Sequence, residues 1–208
     1  MQHTASLRIV SLGLAAASLL FAGTVSAQTD SSTQSYQLVG VNARLDRTVD
    51  TNSVKQGQTI EAKLDGSVQT AAGVKLDKGT ELVGTVTNVE TSTGKSPSSL
   101  TVAFTSARTK DGKQIPVKVT LLAAYPSNAE SEAAYGVDTM APVPNHIDSQ
   151  AQIDQESGTL NNIAMQSKVQ ADNSGTFTKK DGNLKLAAGT FFQVGIAPTN
   201  GNAASNGE

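Results

Sequence analysis

From Tyr36 to Leu122 the chain reads as a series of short runs in which apolar and polar positions alternate. Val, Thr and Ile dominate these runs and Gly and Asp break them, the pattern of half-buried strands. The clearest elements are LTVAFTSAR and QIPVKVTLL, separated by TKDGK. Asp111-Gly112 suits a type I′ turn, which needs positive φ at both central positions. A two-residue loop there predicts Phe104 opposite Val119, Val102 opposite Leu121 and Ser106 opposite Val117, with the apolar pairs on one face. Pro116 falls on the other parity and has no N–H for a ladder, which predicts an edge position or a bulge.

One spacing recurs in three places: Val54, Gly57, Ile60, Leu64; Leu76, Gly79, Leu82, Val86; and Leu186, Gly189, Phe192, Ile196. Each time an apolar residue is followed three positions later by Gly, and three after that by an apolar residue opening a period-2 run. A short extended piece meeting a tight turn whose last residue is left-handed has this form, and Gly takes that conformation at least cost. The repeat reads either as one kind of corner used more than once or as ordinary hairpin punctuation, a three-residue loop with a Gly bulge.

Between Lys118 and Lys168 no basic residue occurs, while Glu130, Glu132, Asp138, Asp148, Asp154 and Glu156 accumulate among Ser, Ala, Asn and Gln. Residues 126–175 are therefore expected to form a long acidic, polar insertion, partly mobile, with one short helix near Leu160, Ile163 and Ala164. A second hairpin is expected at Asp181-Gly182, with Phe177 facing Leu186, and the last strand through Phe192, Val194 and Ile196 must pair with something earlier. The expected fold is mostly β: a small barrel or sandwich from residues 36–125, closed by a hairpin at 176–197, with the polar insertion before it. Gly57, Gly79, Gly112, Gly182 and Gly189 are its expected turn glycines.

The N-terminal stretch changes the setting of this domain. Arg8, an apolar run from Ile9 to Ala22 and Val25-Ser26-Ala27 have the form of a cleavable secretory signal over residues 1–27. The apolar run is shorter than the about 20 residues that a membrane-spanning helix needs. Cleavage removes only Arg8 from the 16 basic residues and none of the 18 acidic ones, so the mature chain is mildly acidic. Nucleic acid and anionic lipid are not expected partners of such a chain. Residues 28–35 read as a polar tether and 198–208 as a disordered tail. Export would permit disulfides, yet the chain has no Cys, so its stability must come from a packed core.

Little of the chain suggests catalysis. His146 is the one histidine beyond the signal, and no GxSxG context surrounds any Ser. A single His without Cys gives no zinc set. Gly94-Lys95-Ser96-Pro97 resembles the end of a phosphate-binding loop, but Val89 stands where its partner Gly belongs. Asp172-Asn173-Ser174-Gly175 is a turn-former without the spacing of a calcium loop. Glu130 with Glu132, or Asp154 with Glu156, are the carboxylate pairs whose convergence would support hydrolysis. No catalytic residue, metal or cofactor is expected.

GVKLDKGTELVGTVTNVE, LTVAFTSARTKDGKQIPVKVTLLA and LKLAAGTFFQVGI together resemble the β-barrel domain of TrbI-type conjugal-transfer proteins, the outer-channel component of type IV secretion systems. Leu76, Gly79, Thr80, Leu82 and Gly84 match the family's first turn and strand, Asp111 and Gly112 its second hairpin, and Gly189 and Thr190 its closing strand. Family members carry an inner-membrane helix, a Pro-rich stretch and an apolar helical hairpin that forms the pore. This chain has a signal and a short tether instead, and residues 126–183 are too polar for a pore. The resemblance implies a non-enzymatic envelope module, periplasmic or secreted, that contacts an envelope or secretion-apparatus protein and has no membrane span after signal cleavage. The alternatives are a β-barrel that binds a small molecule or glycan, and a carboxylate-dependent hydrolase.

Overall fold

In a computed structural model of the chain, the described residues are 36–127, 143–156 and 159–199, and all their regular structure is strand. The elements are β1 (Val39–Leu45), β2 (Val49–Asp50), β3 (Thr59–Leu64), β4 (Val68–Gln69), β5 (Lys75–Leu76), β6 (Glu81–Glu90), β7 (Ser98–Arg108), β8 (Gln114–Tyr125), β9 (Gln152–Gln155), β10 (Ile163–Lys168), β11 (Gly175–Lys179), β12 (Lys185–Leu186) and β13 (Phe191–Pro198). Nine of them form one antiparallel sheet in the order β6-β3-β1-β13-β8-β7-β11-β10-β9, and the β6–β7 pairing closes its first six strands into a barrel. The mostly β fold read from the sequence is thus a closed barrel with extra strands.

The repeated spacing is a repeated device. The Gly79 N–H donates to the Leu64 carbonyl, the Leu64 N–H donates to the Thr80 carbonyl, and the Thr80 N–H closes the turn onto Asp77. Gly189, Leu45, Thr190 and Ala187 repeat the arrangement, as do Gly57, Val86, Gln58 and Lys55. φ is +82, +86 and +82 at Gly57, Gly79 and Gly189. Each corner clasps one residue of the neighbouring strand, Val86, Leu64 or Leu45, and leads into β3, β6 or β13, while the apolar residue before it, Val54, Leu76 or Leu186, is buried. The barrel turns the same corner three times because three of its strands enter in the same way.

Three expectations are corrected. The β7–β8 loop holds three residues, not two: the Thr109 N–H donates to the Lys113 carbonyl and Gly112 takes φ +82. The register is therefore Ser106 opposite Pro116, Ala107 opposite Ile115 and Arg108 opposite Gln114, one residue from that of a type I′ turn. The ladder stops at Pro116, which has no N–H to continue it. Beyond it β7 and β8 part, so Phe104 does not face Val119 and Val102 does not face Leu121; both pairs are still buried.

Second, Asp181-Gly182 does not make a hairpin. Phe177 on β11 lies opposite Leu100 on β7 and Met165 on β10, while Leu186 pairs with Val49 on β2. Third, no helix forms near Leu160. Asn161 and Asn162 have φ of +42 and +64, left-handed values that end any helical turn, and Ile163 opens β10. The signal, the tether, the tail after 199 and residues 128–142 lie outside the described residues.

Where β7 and β8 separate, β11 takes the vacated edge of β7, with Gly175 opposite Val102. Ser174, which is 1% exposed, joins the parting strands. Its N–H donates to the Val102 carbonyl, its Oγ accepts from the Phe104 N–H, and its carbonyl accepts from the Leu121 N–H. At the same residue of β8, Ser167 Oγ donates to the Leu121 carbonyl. The Gln155 carboxamide accepts from the Ala124 N–H at 2.6 Å and donates to the Ala124 carbonyl at 2.5 Å. Side chains thereby satisfy backbone groups that a missing strand would leave bare.

The barrel interior is filled. Leu64, Leu82, Leu100, Leu121, Phe177 and Phe192 are each at most 1% exposed, and the two Phe rings meet at 6.0 Å. β13 is buried on both faces, because residues 143–151 cross its outer side.

Candidate functional site

Cross-strand register places one row of side chains across the outside of the barrel. Arg108 on β7 lies opposite Glu81 on β6, Glu81 opposite Lys63 on β3, and Lys63 opposite Arg44 on β1. The row continues through Phe191 on β13 to Tyr125 on β8. Opposite charges in directly facing positions attract, and that is how the first part of the row is built.

Arg108 is its centre. Its Nε and Nη2 donate to Glu81 Oε2 at 2.8 and 2.6 Å, and Nη2 also donates to Glu61 Oε1 at 2.8 Å. Lys63 Nζ lies 3.0 Å from Asp46 and 3.6 Å from Glu81, and Arg47 Nε lies 3.6 Å from Asp46. Hydrogen bonds to Glu81 and Glu61 raise the pKa of Arg108, and the Asp46 carboxylate raises that of Lys63. Arg44 pairs with Asp65 and lays its guanidinium 5.2 Å from the centre of the Phe191 ring, which meets Tyr125 at 6.3 Å. Burial pushes the Tyr125 hydroxyl up from its ordinary value.

A recess of 150 Å³ opens beside this row, lined by Arg47, Thr48, Asp50, Gln58 and Glu61 among others. Its polar groups are partly engaged: Asp50 Oδ1 accepts the Asn52 N–H at 2.9 Å, and Gln58 Oε1 accepts the Lys55 N–H at 3.3 Å. Glu61 and Glu81 are brought together by a shared Arg108, so the site presents a compensated charge lattice.

The residues singled out in the sequence are scattered. His146 is exposed on the segment that crosses β13. Asp154 is exposed on the last strand of the sheet and accepts from Gln152 Nε2 at 3.2 Å; Glu130 and Glu132 lie outside the described residues. Gly94 to Pro97 form the β6–β7 turn, in which the Thr93 N–H donates to Ser96 Oγ at 2.8 Å. Asp172 to Gly175 contain the Ser174 seam. Gly112 and Gly182 take φ of +82 and +76. Among the described residues no group of three or more His, Cys, Asp or Glu is placed to hold a metal, and no helix is long and apolar enough to cross a membrane. The Arg108 lattice was not singled out in the sequence. Its signal was present in the alternating charges of EAKL and in the single acid that opens ELVG, but only register shows that Lys63 and Glu81 face each other.

No protein-family model matches this chain, and no curated protein matches it. Among solved structures the chain is similar to ComB10 of the Com type IV secretion system of Helicobacter pylori. Identity is 11%, coverage 78% of this chain and 86% of that one, and the TM-score 0.35. ComB10 thus belongs to the same kind of apparatus as the proteins that the turn motifs resemble.

Proposed function

We propose that this chain is an exported, non-enzymatic cell-envelope module that works through protein–protein contacts, a TrbI-barrel-like scaffold without a pore. Its partner is an envelope or secretion-apparatus protein, and its location the periplasm or beyond. The observation that carries this reading is the filled barrel. Ligand-binding barrels keep room inside or at the mouth, commonly about 300–1,000 Å³. Here Leu, Val and Phe side chains occupy the interior, and the chemistry that remains is the charged row outside. The recess of 150 Å³ favours the second reading, a small-ligand site, but is small for that task.

In-cell crosslinking of the tagged protein, followed by affinity purification, tests the proposal. The expected result is reproducible recovery of a secretion-channel or envelope-assembly component, reduced several-fold in the double variant Arg47→Glu/Lys63→Glu. Recovery of the lone protein by itself would overturn it and direct attention to a thermal-shift screen of small molecules.

A further inference from the structure

The sequence contains three Asp-Gly pairs, Asp65-Gly66, Asp111-Gly112 and Asp181-Gly182. Such a pair is open to an internal reaction, because glycine has no Cβ to shield its amide nitrogen from the carboxyl group beside it. Ring closure needs that nitrogen released from hydrogen bonding and that carboxyl able to swing onto it. The fold restrains two of the three pairs.

In the β7–β8 loop the Gly112 N–H donates to the Thr109 carbonyl at 2.9 Å, while the Thr109 N–H and Oγ1 donate to the Lys113 carbonyl at 2.9 and 3.0 Å. The nitrogen is tied and the loop around it is locked. At Asp65-Gly66 it is the carboxylate that is held, by the Arg44 guanidinium. Swinging Asp65 onto Gly66 breaks that charge-assisted bond.

Asp181-Gly182 lies in the connection from β11 to β12 and has neither restraint. Asp181 is exposed, and among the described residues it forms no ion pair and the Gly182 N–H meets no acceptor. The residues around the pair are nonetheless fixed. The Gly182 carbonyl accepts from Ser98 Oγ at 2.8 Å, Asn183 Oδ1 accepts the Ser92 N–H at 2.9 Å, and the Leu184 N–H donates to Thr51 Oγ1 at 3.0 Å.

We propose that Asp181 is a covalent modification site, at which the folded chain converts itself to isoaspartate while Asp65 and Asp111 stay intact. The Gly182 nitrogen attacks Cγ of the protonated Asp181 carboxyl. A C–N bond forms, the C–OH bond breaks, and the amide proton leaves with that hydroxyl as water. Water then reopens the succinimide ring, and attack at the main-chain carbonyl leaves the chain running through the side chain. No atom is gained or lost overall, and no oxidant or reductant takes part. The product has one more carbon in its backbone, in a connection stitched to Ser92 and Ser98, so conversion loosens that stitching. This chemistry is independent of the envelope function proposed above.

The test is to age the full chain at neutral pH, then unfold it and digest it with a protease that cuts before aspartate but not before isoaspartate. Blocked cleavage is expected to build up at Asp181 several-fold faster than at Asp65 or Asp111. In a sample aged in denaturant the three sites are expected to convert at similar rates. Asp65 or Asp111 converting as fast as Asp181 in the folded chain, or the same selectivity in denaturant, would overturn the proposal. The aged parent is also expected to melt below an equally aged Asp181→Glu chain, whose longer side chain does not form the succinimide. Equal melting would overturn the loosening.

Discussion

At the scale of single residues, Gly79 and Lys118 offer the sharpest tests. Gly79 stands at φ +86, where a β-branched residue is strained whatever the space around it, and its neighbour Lys110 Cε is a flexible side-chain end. Gly79→Val should therefore destabilise the fold through its backbone, by about 1 kcal/mol or more. An unchanged melting temperature would refute the corner described above. Lys118 is half-buried on β8 and donates to the Ala171 carbonyl. Burial lowers its pKa, partly offset by the Asp172 carboxylate. Its unfolded form therefore holds the proton more tightly, and its contribution to stability rises with pH on approach to 10.5, the ordinary lysine value. Tyr125 works the other way: its raised pKa contributes stability that is lost as pH climbs past 10.0. Lys118→Met should accordingly lose stability more steeply than the parent in alkaline melts. Parallel curves would show that Lys118 is no more desolvated folded than unfolded.

Strands and connections carry the next scale. Arg108 holds Glu61 and Glu81 on neighbouring strands, so Arg108→Ala should lower the melting temperature and leave two nearby carboxylates without their shared cation. Added salt should narrow the difference from the parent, since screening weakens partly exposed charges. A difference insensitive to salt would mean that Arg108 acts by packing its stem. Limited proteolysis should cut first between residues 143 and 151, where among the described residues the segment over β13 has one isolated bridge. Early cuts within residues 100–121 would contradict the assignment of β7 and β8 to the barrel. These elements also show how far local reading reaches. Strand existence was legible from period-2 alternation, and the three Gly corners from their spacing. Register was not, because Asp-Gly serves both a two-residue loop and a three-residue loop with Gly112 as the bulge. The helix expected near Leu160 failed for a related reason: two Asn residues can take left-handed backbone that periodicity does not register.

For the whole molecule, the interior is the decisive feature. Phe192, 1% exposed, packs on Phe177 where the extra strands meet the barrel. Phe192→Ala should cost about 3–5 kcal/mol, seen as a lower denaturant midpoint with an unchanged slope. A small loss would mean that the barrel collapses around the gap and is less tightly filled than described. The charged row belongs to this scale too, since it draws on residues far apart in the chain that only barrel closure brings side by side.

The amino-acid order by itself determined what depends on near neighbours: alternation along each strand, glycine at positions of positive φ, and the acidic stretch without basic residues. Tertiary structure alone decided what depends on which strand lies beside which. The sheet order, the parting of β7 and β8 at Pro116, the Ser174 seam and the charged row through Arg108 all join residues distant in sequence. A strand's side-chain pattern states which face is buried but not which partner covers it, since any apolar face satisfies another about equally well. Specific partners are chosen by backbone hydrogen bonds that must all be satisfied at once, and that condition exists only in the closed barrel.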